Sequence, residues 1–329
     1  MLDDRLQSNP TNVCRTFTTC GTFTKRSRQF AKIAMFNDVL SPPLLPAQSP
    51  IAMRSRLLPL FVLVVVVSVP HLAFSQMIVA HRGASHDAPE NTLSAFRLAW
   101  DQNADGVEGD FYLTADSKIV CIHDKDTKRT AGKKLVVEGS TLAELRKLDA
   151  GKWKAAKWAN EPIPTFAEVL KTVPENRTFV IELKSDEKIV PFLKAELERL
   201  DHSKIKLLII CFNDKVIADC KRLLPNVKSH WLTSFKQNKT TGQWTPTADQ
   251  IAKTVKQSGA NGVGMQGNTQ VIDAVFVDTM KQGGCDEFHV WTVDSPTDAN
   301  YFSKLGAFGI TTNRPAFIRE ALETKTAAN

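Results

Sequence analysis

The sequence predicts an α/β chain whose folded part is a single closed barrel of parallel strands, and three observations carry that prediction. After residue 76, short apolar runs alternate eight times with segments of helical period. The alternation spends roughly 250 residues, the usual size of a (β/α)8 barrel. The apolar runs are nearly continuous, as strands are when both sheet faces are covered. Periodicity alone cannot show closure, so a doubly wound open sheet is the alternative. No low-complexity linker divides the region, and one domain is the simplest count.

The elements follow in order. Strands are expected at Ile78–Ala80, Gly106–Leu113, Thr178–Lys184, Lys206–Phe212, Val227–Leu232, Gly262–Met265, Glu287–Val293 and Gly309–Thr312. Between them, helical spacing marks Thr92–Gln102, Phe166–Val173, Lys188–Leu200, Asp214–Leu224, Thr247–Ser258, Val271–Gln282 and Pro296–Leu305, with a closing helix after Pro315. The apolar run Ile119–His123 and the helical stretch Thr141–Leu148 read as an excursion between the second and third main strands.

Ahead of the barrel stands MRSRLLPLFVLVVVVSVPHLAFSQ, residues 53–76. Arg54 and Arg56 form a basic start, Leu57 to Val69 an apolar middle, and Ala73-Phe74-Ser75 a small-residue site for a cut before Gln76. This is a secretory signal pattern. The apolar run falls short of the roughly 20 residues that a membrane span needs. Residues 1–52 are polar without a sustained period and are expected to be disordered, or an over-extended start with translation beginning at Met53. The expected product is residues 76–329, exported to the periplasm or the medium. If residues 1–52 are present in the protein, residues 57–73 are instead read as a signal anchor.

The formal net charge of +7 is enriched in basic residues before Met53, outside the expected fold. No stripe of interleaved basic and aromatic residues marks a nucleic-acid surface, so no nucleic-acid partner is expected. No obligate protein partner is evident, and membrane contact is expected only through an uncleaved signal segment. Four cysteines, Cys121, Cys211, Cys220 and Cys285, follow the proposed cut. Cys121 and Cys211 lie inside apolar runs, where a free buried thiol is the simpler state. No cysteine or histidine pair has zinc spacing.

The residues that carry chemistry stand at the ends of the apolar runs, where α/β enzymes build active sites. Glu108 and Asp110 lie two apart on one expected strand and so point to the same face. Two carboxylates side by side in a buried strand repel each other and are costly to desolvate, and a divalent cation offsets both costs. Glu182 and Lys184 repeat the spacing on another strand, so that Glu182 completes an all-carboxylate set. Hard oxygen ligands without a thiolate favour one Mg²⁺ or Ca²⁺. His81 and His123 end two further apolar runs and suit a general acid and a general base, in an order the sequence does not assign. Arg82 and Lys184 supply donors for an anionic group. A metal, two imidazoles and two cations around one point suggest phosphoryl transfer or phosphodiester cleavage, and no Walker-type glycine loop is present to hold a nucleotide.

Beyond these residues, the chain resembles the glycerophosphodiester phosphodiesterases, a family of phosphatidylinositol-phosphodiesterase-like TIM barrels. The likeness runs through HRG (81–83), PENT (89–92), Glu108-x-Asp110, His123-Asp124, Arg129-Thr130, LDAG-x-W (148–153), IPT (163–165), ELK (182–184), VWTVD (290–294) and TTNRP (311–315). It implies a TIM barrel with one Mg²⁺ or Ca²⁺ that hydrolyses glycerophosphodiesters to sn-glycerol 3-phosphate and an alcohol. By motif, Glu108, Asp110 and Glu182 match the metal ligands, His81 and His123 the acid–base pair, Arg82 and Lys184 the phosphate-binding cations, and Trp291 a substrate-lining aromatic. Trp291 reads equally as a packing residue at the barrel mouth. Two alternatives stand beside this reading. One is a sphingomyelinase D-like or lysophospholipase D activity, and the other a catalytically inactive phosphodiester-binding protein. The short link between His123 and Glu182 leaves the head group unassigned.

Overall fold

The computed structural model describes residues 76–326. The stretch 1–52 and the signal segment 53–75, including the apolar run, lie outside the described residues. Among the described residues, no helix is long and apolar enough to cross a membrane.

The chain begins with β1 (Met77–Ala80), α1 (Leu93–Asp101) and β2 (Gly106–Leu113), then departs through β3 (Ile119–Cys121), α2 (Lys128–Ala131), α3 (Leu142–Leu145) and α4 (Phe166–Leu170). Alternation resumes with β4 (Thr178–Leu183), α5 (Ile189–Arg199), β5 (Lys206–Cys211), α6 (Asp214–Leu223) and β6 (Lys228–Thr233). A hairpin of β7 (Lys236–Gln237) and β8 (Trp244–Thr245) precedes α7 (Ala248–Ser258), β9 (Gly262–Gln266) and α8 (Ala274–Gln282). The last elements are β10 (Phe288–Trp291), α9 (Pro296–Lys304), β11 (Gly309–Thr312) and α10 (Pro315–Thr326).

Strands β1, β2, β4, β5, β6, β9, β10 and β11 pair in parallel in that order. Val79 in β1 registers with Gly106 of β2 on one side and with Thr311 of β11 on the other, so the sheet closes. The protein is a TIM (β/α)8 barrel, not an open sheet. Every barrel strand lies within two residues of its expected bounds.

The departures from expectation have local causes. Helix α8 starts three residues late because the Asp273 side chain accepts from the Phe276 amide and caps it there. Helix α4 ends at Leu170 rather than Val173, and Val173 precedes Pro174, a position that disfavours helical backbone. The run Ile119–His123 is not a rung of the barrel. β3 pairs antiparallel with β2, with Phe111 opposite Cys121, and so returns the chain toward the mouth from above. The hairpin Lys236–Thr245 went unforeseen; its polar strands carry no apolar alternation.

Apolar faces of the helices pack on the outside of the barrel. Phe111, Phe166 and Phe179 meet there at centroid distances of 5.4 to 5.7 Å. Each is fully buried, and edge-to-face contact between such rings adds to the burial of their area. A smaller cluster around Val120, Ile122, Leu145 and Ile163 anchors the excursion. Inside the barrel, Val79, Val180, Leu208, Ile210 and Leu232 fill the axis. All four described cysteines are free and buried.

Candidate active site

Barrel closure brings the strand ends to one point. His81 follows β1 and its amide donates to the Thr312 carbonyl at 2.8 Å, which fixes it beside β11. Arg82 takes a left-handed backbone, φ 56°, and this turns its amide onto Glu108 Oε2 at 2.9 Å. A bulky residue held in that region stores strain, and such strain clusters at functional sites. Gly83 comes next at φ 77°, where a Cβ would lie 2.5 Å from the Ala95 backbone, so only glycine lets α1 approach.

Asp110 sits directly opposite Glu182 across β2 and β4. With Glu108 they form a buried group whose ligand atoms all lie within 4.8 Å of one another. Glu108 Oε1 and Asp110 Oδ1 are buried without a hydrogen-bond partner. Burial and the neighbouring charges of Asp110 and Glu182 hold Glu108 well above the usual carboxylate range. Burial, then Asp110, raises Glu182 to about 7. Burial alone would raise Asp110 as well, but Lys184 and Arg82 outweigh it and hold Asp110 low. Orphaned carboxylate oxygens, mutual repulsion and all-oxygen donors are what a hard divalent cation satisfies, so these residues fit one.

The two expected cations flank this group. Lys184 Nζ donates to Glu182 Oε1 at 2.7 Å and lies 3.4 Å from Asp110 Oδ1. Arg82 places Nε 3.3 Å from Asp110 and donates through Nη1 to Glu90 Oε1 at 3.0 Å. The residues of PENT thereby acquire separate roles. Glu90 binds Arg82 and Arg129, Asn91 donates to Asp110 Oδ2 at 2.8 Å, and Thr92 caps α1.

The two histidines differ in their partners. His81 Nδ1 lies 2.8 Å from Asn313 Oδ1. The Asn313 amide group donates to Asp294 Oδ2 at 2.7 Å, and a carboxylate can only accept, so the asparagine oxygen faces His81. His81 therefore carries its hydrogen on Nδ1 and leaves Nε2 bare. Burial, then Arg82, lowers it to about 4, which keeps it neutral. His123 Nδ1 instead lies 2.7 Å from Asp124 Oδ1. Hydrogen bonds from Arg129 first, then His123, hold Asp124 at about 2, so a fixed negative charge stands behind that imidazole.

A cavity of about 130 Å³ opens over these groups, lined by His81, Arg82, Glu108, His123, Glu182 and Lys184, among others. Trp291 lines its wall with Phe212, their rings in edge contact at 5.4 Å. The fold thus brings the expected residues together: Asp110 shares the carboxylate group, and the other seven line one cavity. The sequence reading missed Asn91, Glu90, Arg129, Asn313 and Asp294 as supports. Asp124 stands in the quoted His123-Asp124 motif, and its contact with Nδ1 makes it the group that orients His123. His86 is exposed; its imidazole bonds Asp87 and its backbone amide donates to the Asn313 carbonyl at 3.1 Å.

Residues 81–317 match the model of the glycerophosphoryl diester phosphodiesterase family. The chain belongs to that family. Its members are phosphoric diester hydrolases. The glycerophosphodiester phosphodiesterase of Caldanaerobacter subterraneus subsp. tengcongensis is 32% identical over 243 residues, 73% of this chain and 94% of that protein. A glycerophosphodiester phosphodiesterase of Bacillus subtilis is 29% identical over 253 residues, 72% of this chain and 83% of its own. Among solved structures, an Oleispira antarctica phosphodiesterase in complex with the product sn-glycerol-3-phosphate superposes with a TM-score of 0.66 at 25% identity, covering 76% of this chain and 98% of that one. The glycerophosphodiester phosphodiesterase of Agrobacterium tumefaciens, at 21% identity and a TM-score of 0.59 over 74% of this chain and 99% of that one, shares the family barrel.

Proposed function

We propose that this diesterase hydrolyses small glycerophosphodiesters to sn-glycerol 3-phosphate and an alcohol, with a divalent cation held by Glu108, Asp110 and Glu182. The observation that carries the reading is the pairing of an all-carboxylate group with two oppositely supported imidazoles in one cavity. The product held by the Oleispira relative agrees with a substrate of this class. Arg82 and Lys184 bind the phosphate oxygens, while Trp291 and Phe212 wall the carbon skeleton. When bound, the cation supplies positive charge to the substrate's oxygens.

The proton transfers follow from the two imidazoles. His81 Nε2, bare and neutral, takes the hydrogen of the glycerol hydroxyl beside the phosphate as that oxygen attacks phosphorus. The bond to the head-group alcohol breaks, and His123 Nε2–H gives the departing oxygen its proton. The resulting cyclic phosphate is opened by water, with His123 now removing the proton and His81 returning one. The order the sequence could not assign is thus His81 as first base and His123 as first acid. Export through residues 53–75, with a cut near Ser75–Gln76, places the enzyme where phosphodiesters from deacylated phospholipids arrive.

The test follows sn-glycerol 3-phosphate release from glycerophosphocholine by the full chain, with Mg²⁺, Ca²⁺ or EDTA. EDTA abolishes turnover and metal restores it, while His81→Ala and His123→Ala each lower kcat ~10²–10⁴-fold. Choline release from sphingomyelin or lysophosphatidylcholine alone would move the assignment to the lipid-cleaving alternatives. Binding without turnover of any of these would leave a phosphodiester-binding protein.

A further inference from the structure

Beneath the cavity, a second set of titratable side chains lies inside the barrel, and the reaction above uses none of it. His230 on β6 is fully buried and His289 on β10 is 3% exposed. Their rings stack at 5.2 Å, with Nδ1 facing Nδ1 at 3.0 Å. On its other edge, His230 Nε2 lies 2.8 Å from Glu287 Oε1. Lys228 Nζ donates to both oxygens of Glu287 at 2.9 Å.

Two imidazole nitrogens this close need one hydrogen between them, and the direction is set from Glu287. Burial pushes Glu287 up, but the close approach of His230 and the hydrogen bonds from Lys228 outweigh it and take it to about 2. It is a carboxylate, which only accepts, so His230 Nε2 bears a hydrogen. Burial lowers His230, and burial together with His230 lowers His289 to about 3. Both rings are neutral and carry one hydrogen each. His230 Nδ1 is then a bare lone pair, His289 Nδ1–H donates to it, and His289 Nε2 is left bare.

That nitrogen has a place to act. His289 lines the cavity together with His81, Glu108 and Trp291. A Cβ at residue 264 would lie 2.4 Å from His289 Cε1 and Nε2, so Gly264 makes room for that edge of the ring. Among the described residues, none hydrogen-bonds to Nε2 of His289.

We propose that the Glu287–His230–His289 relay fixes His289 as a hydrogen-bond acceptor on the cavity floor, where Nε2 takes the hydrogen of a substrate hydroxyl that plays no part in bond making. The hydroxyl class follows from the chemistry: a bare imidazole nitrogen accepts a hydroxyl hydrogen and offers nothing to a methyl group or an anionic oxygen. His289 is therefore a specificity residue for polyol phosphodiesters, and Glu287 and His230 position it. The role of the hydroxyl rests on the reaction proposed above; the relay itself does not.

The experiment pairs two readouts. Nitrogen-15 NMR of the histidine-labelled full chain reports which ring nitrogen of His289 bears hydrogen, with the signal assigned by its loss in His289→Phe. Kinetics compare glycerophosphocholine with 2-hydroxypropyl phosphocholine, which keeps the attacking hydroxyl and lacks the terminal one. In the native protein His289 shows Nδ1–H, and the glycerol compound is preferred ~10–100-fold in kcat/KM. In Glu287→Gln, Lys228 keeps the amide oxygen and the amide nitrogen turns to His230. Every donor in the relay then reverses and His289 becomes Nε2–H, which the nitrogen-15 signal reads; a hydroxyl also accepts, so the loss of preference is read in His289→Phe, where no ring nitrogen remains. A native His289 protonated on Nε2, a Glu287→Gln protein whose His289 keeps Nδ1–H, or a His289→Phe enzyme that retains the preference overturns the proposal. Should the native protein cleave neither compound, the proposed reaction fails. Calorimetric binding of sn-glycerol 3-phosphate against 2-hydroxypropyl phosphate then decides the acceptor role, and equal affinity rejects it.

Discussion

Replacing Glu182 with glutamine should stabilise the metal-free protein while weakening its response to metal. Glu182 is buried and sits opposite Asp110, and its carboxyl is raised from 4.5 to about 7, chiefly by burial and then by Asp110. For a carboxyl raised on folding, the stabilising contribution is fully present below 4.5 and is lost as pH rises through about 7, because the native state holds a proton that the unfolded chain releases. The loss amounts to roughly 3 kcal/mol by pH 8. Glutamine keeps the oxygen that accepts from Lys184 but cannot ionise, so it escapes this loss. For a domain of this size, ~2–4 °C per kcal/mol applies, and the variant should melt ~6–12 °C higher in EDTA at pH 8. At pH 5 the two proteins should differ by little. Mg²⁺ or Ca²⁺ at 100 times Kd adds ~2.7 kcal/mol to the native protein, and the variant, with two carboxylates left, should gain much less at equal concentration. Circular-dichroism melts at the two pH values, with EDTA or metal, read all four numbers. A variant no more stable than the native protein at pH 8 in EDTA would refute the reasoning. So would a gap that is the same at pH 5.

Other consequences are more direct. Asn313→Ala removes the acceptor that holds His81 Nδ1–H, and kcat should fall ~10–1,000-fold, less than the ~10⁴ seen when a wrong tautomer is imposed, with KM nearly unchanged. Because His81 is lowered to about 4, the acid limb of kcat/KM should lie near that value and not near 6.5, which a pH profile on folded enzyme would show. Phe111→Ala empties the space between Phe166 and Phe179 and should cost ~3–5 kcal/mol by urea unfolding, with the active residues left in place.

The parts of this molecule that were legible in the sequence are those set by short-range geometry. Two-residue spacing on a strand put Glu108 with Asp110, and Glu182 with Lys184, on one face each, and the distances agree. Apolar runs bounded the strands closely because each barrel strand is covered on both sides. What needed closure was hidden. Asn313 lies 232 residues from His81, and His230 lies 59 from His289. No local pattern links either pair. The antiparallel course of β3 was equally silent, since a three-residue apolar run has no direction. Arg129 and Glu90 stood within quoted motifs, but only the fold shows that they brace His123 through Asp124 and Arg82.

Closure of the barrel by β1 and β11 also bears on how the enzyme is born. A growing chain that has reached Leu305 already carries in its sequence the three carboxylates and both imidazoles of the proposed acid–base pair. It still lacks Asn313, the group that decides which ring nitrogen of His81 carries hydrogen. The first strand waits for the last, so the carboxylates and the imidazoles come to one point only when β11 docks beside β1. A chain cut ahead of Asn313 keeps every cavity carboxylate in its sequence and loses the acceptor that orients His81.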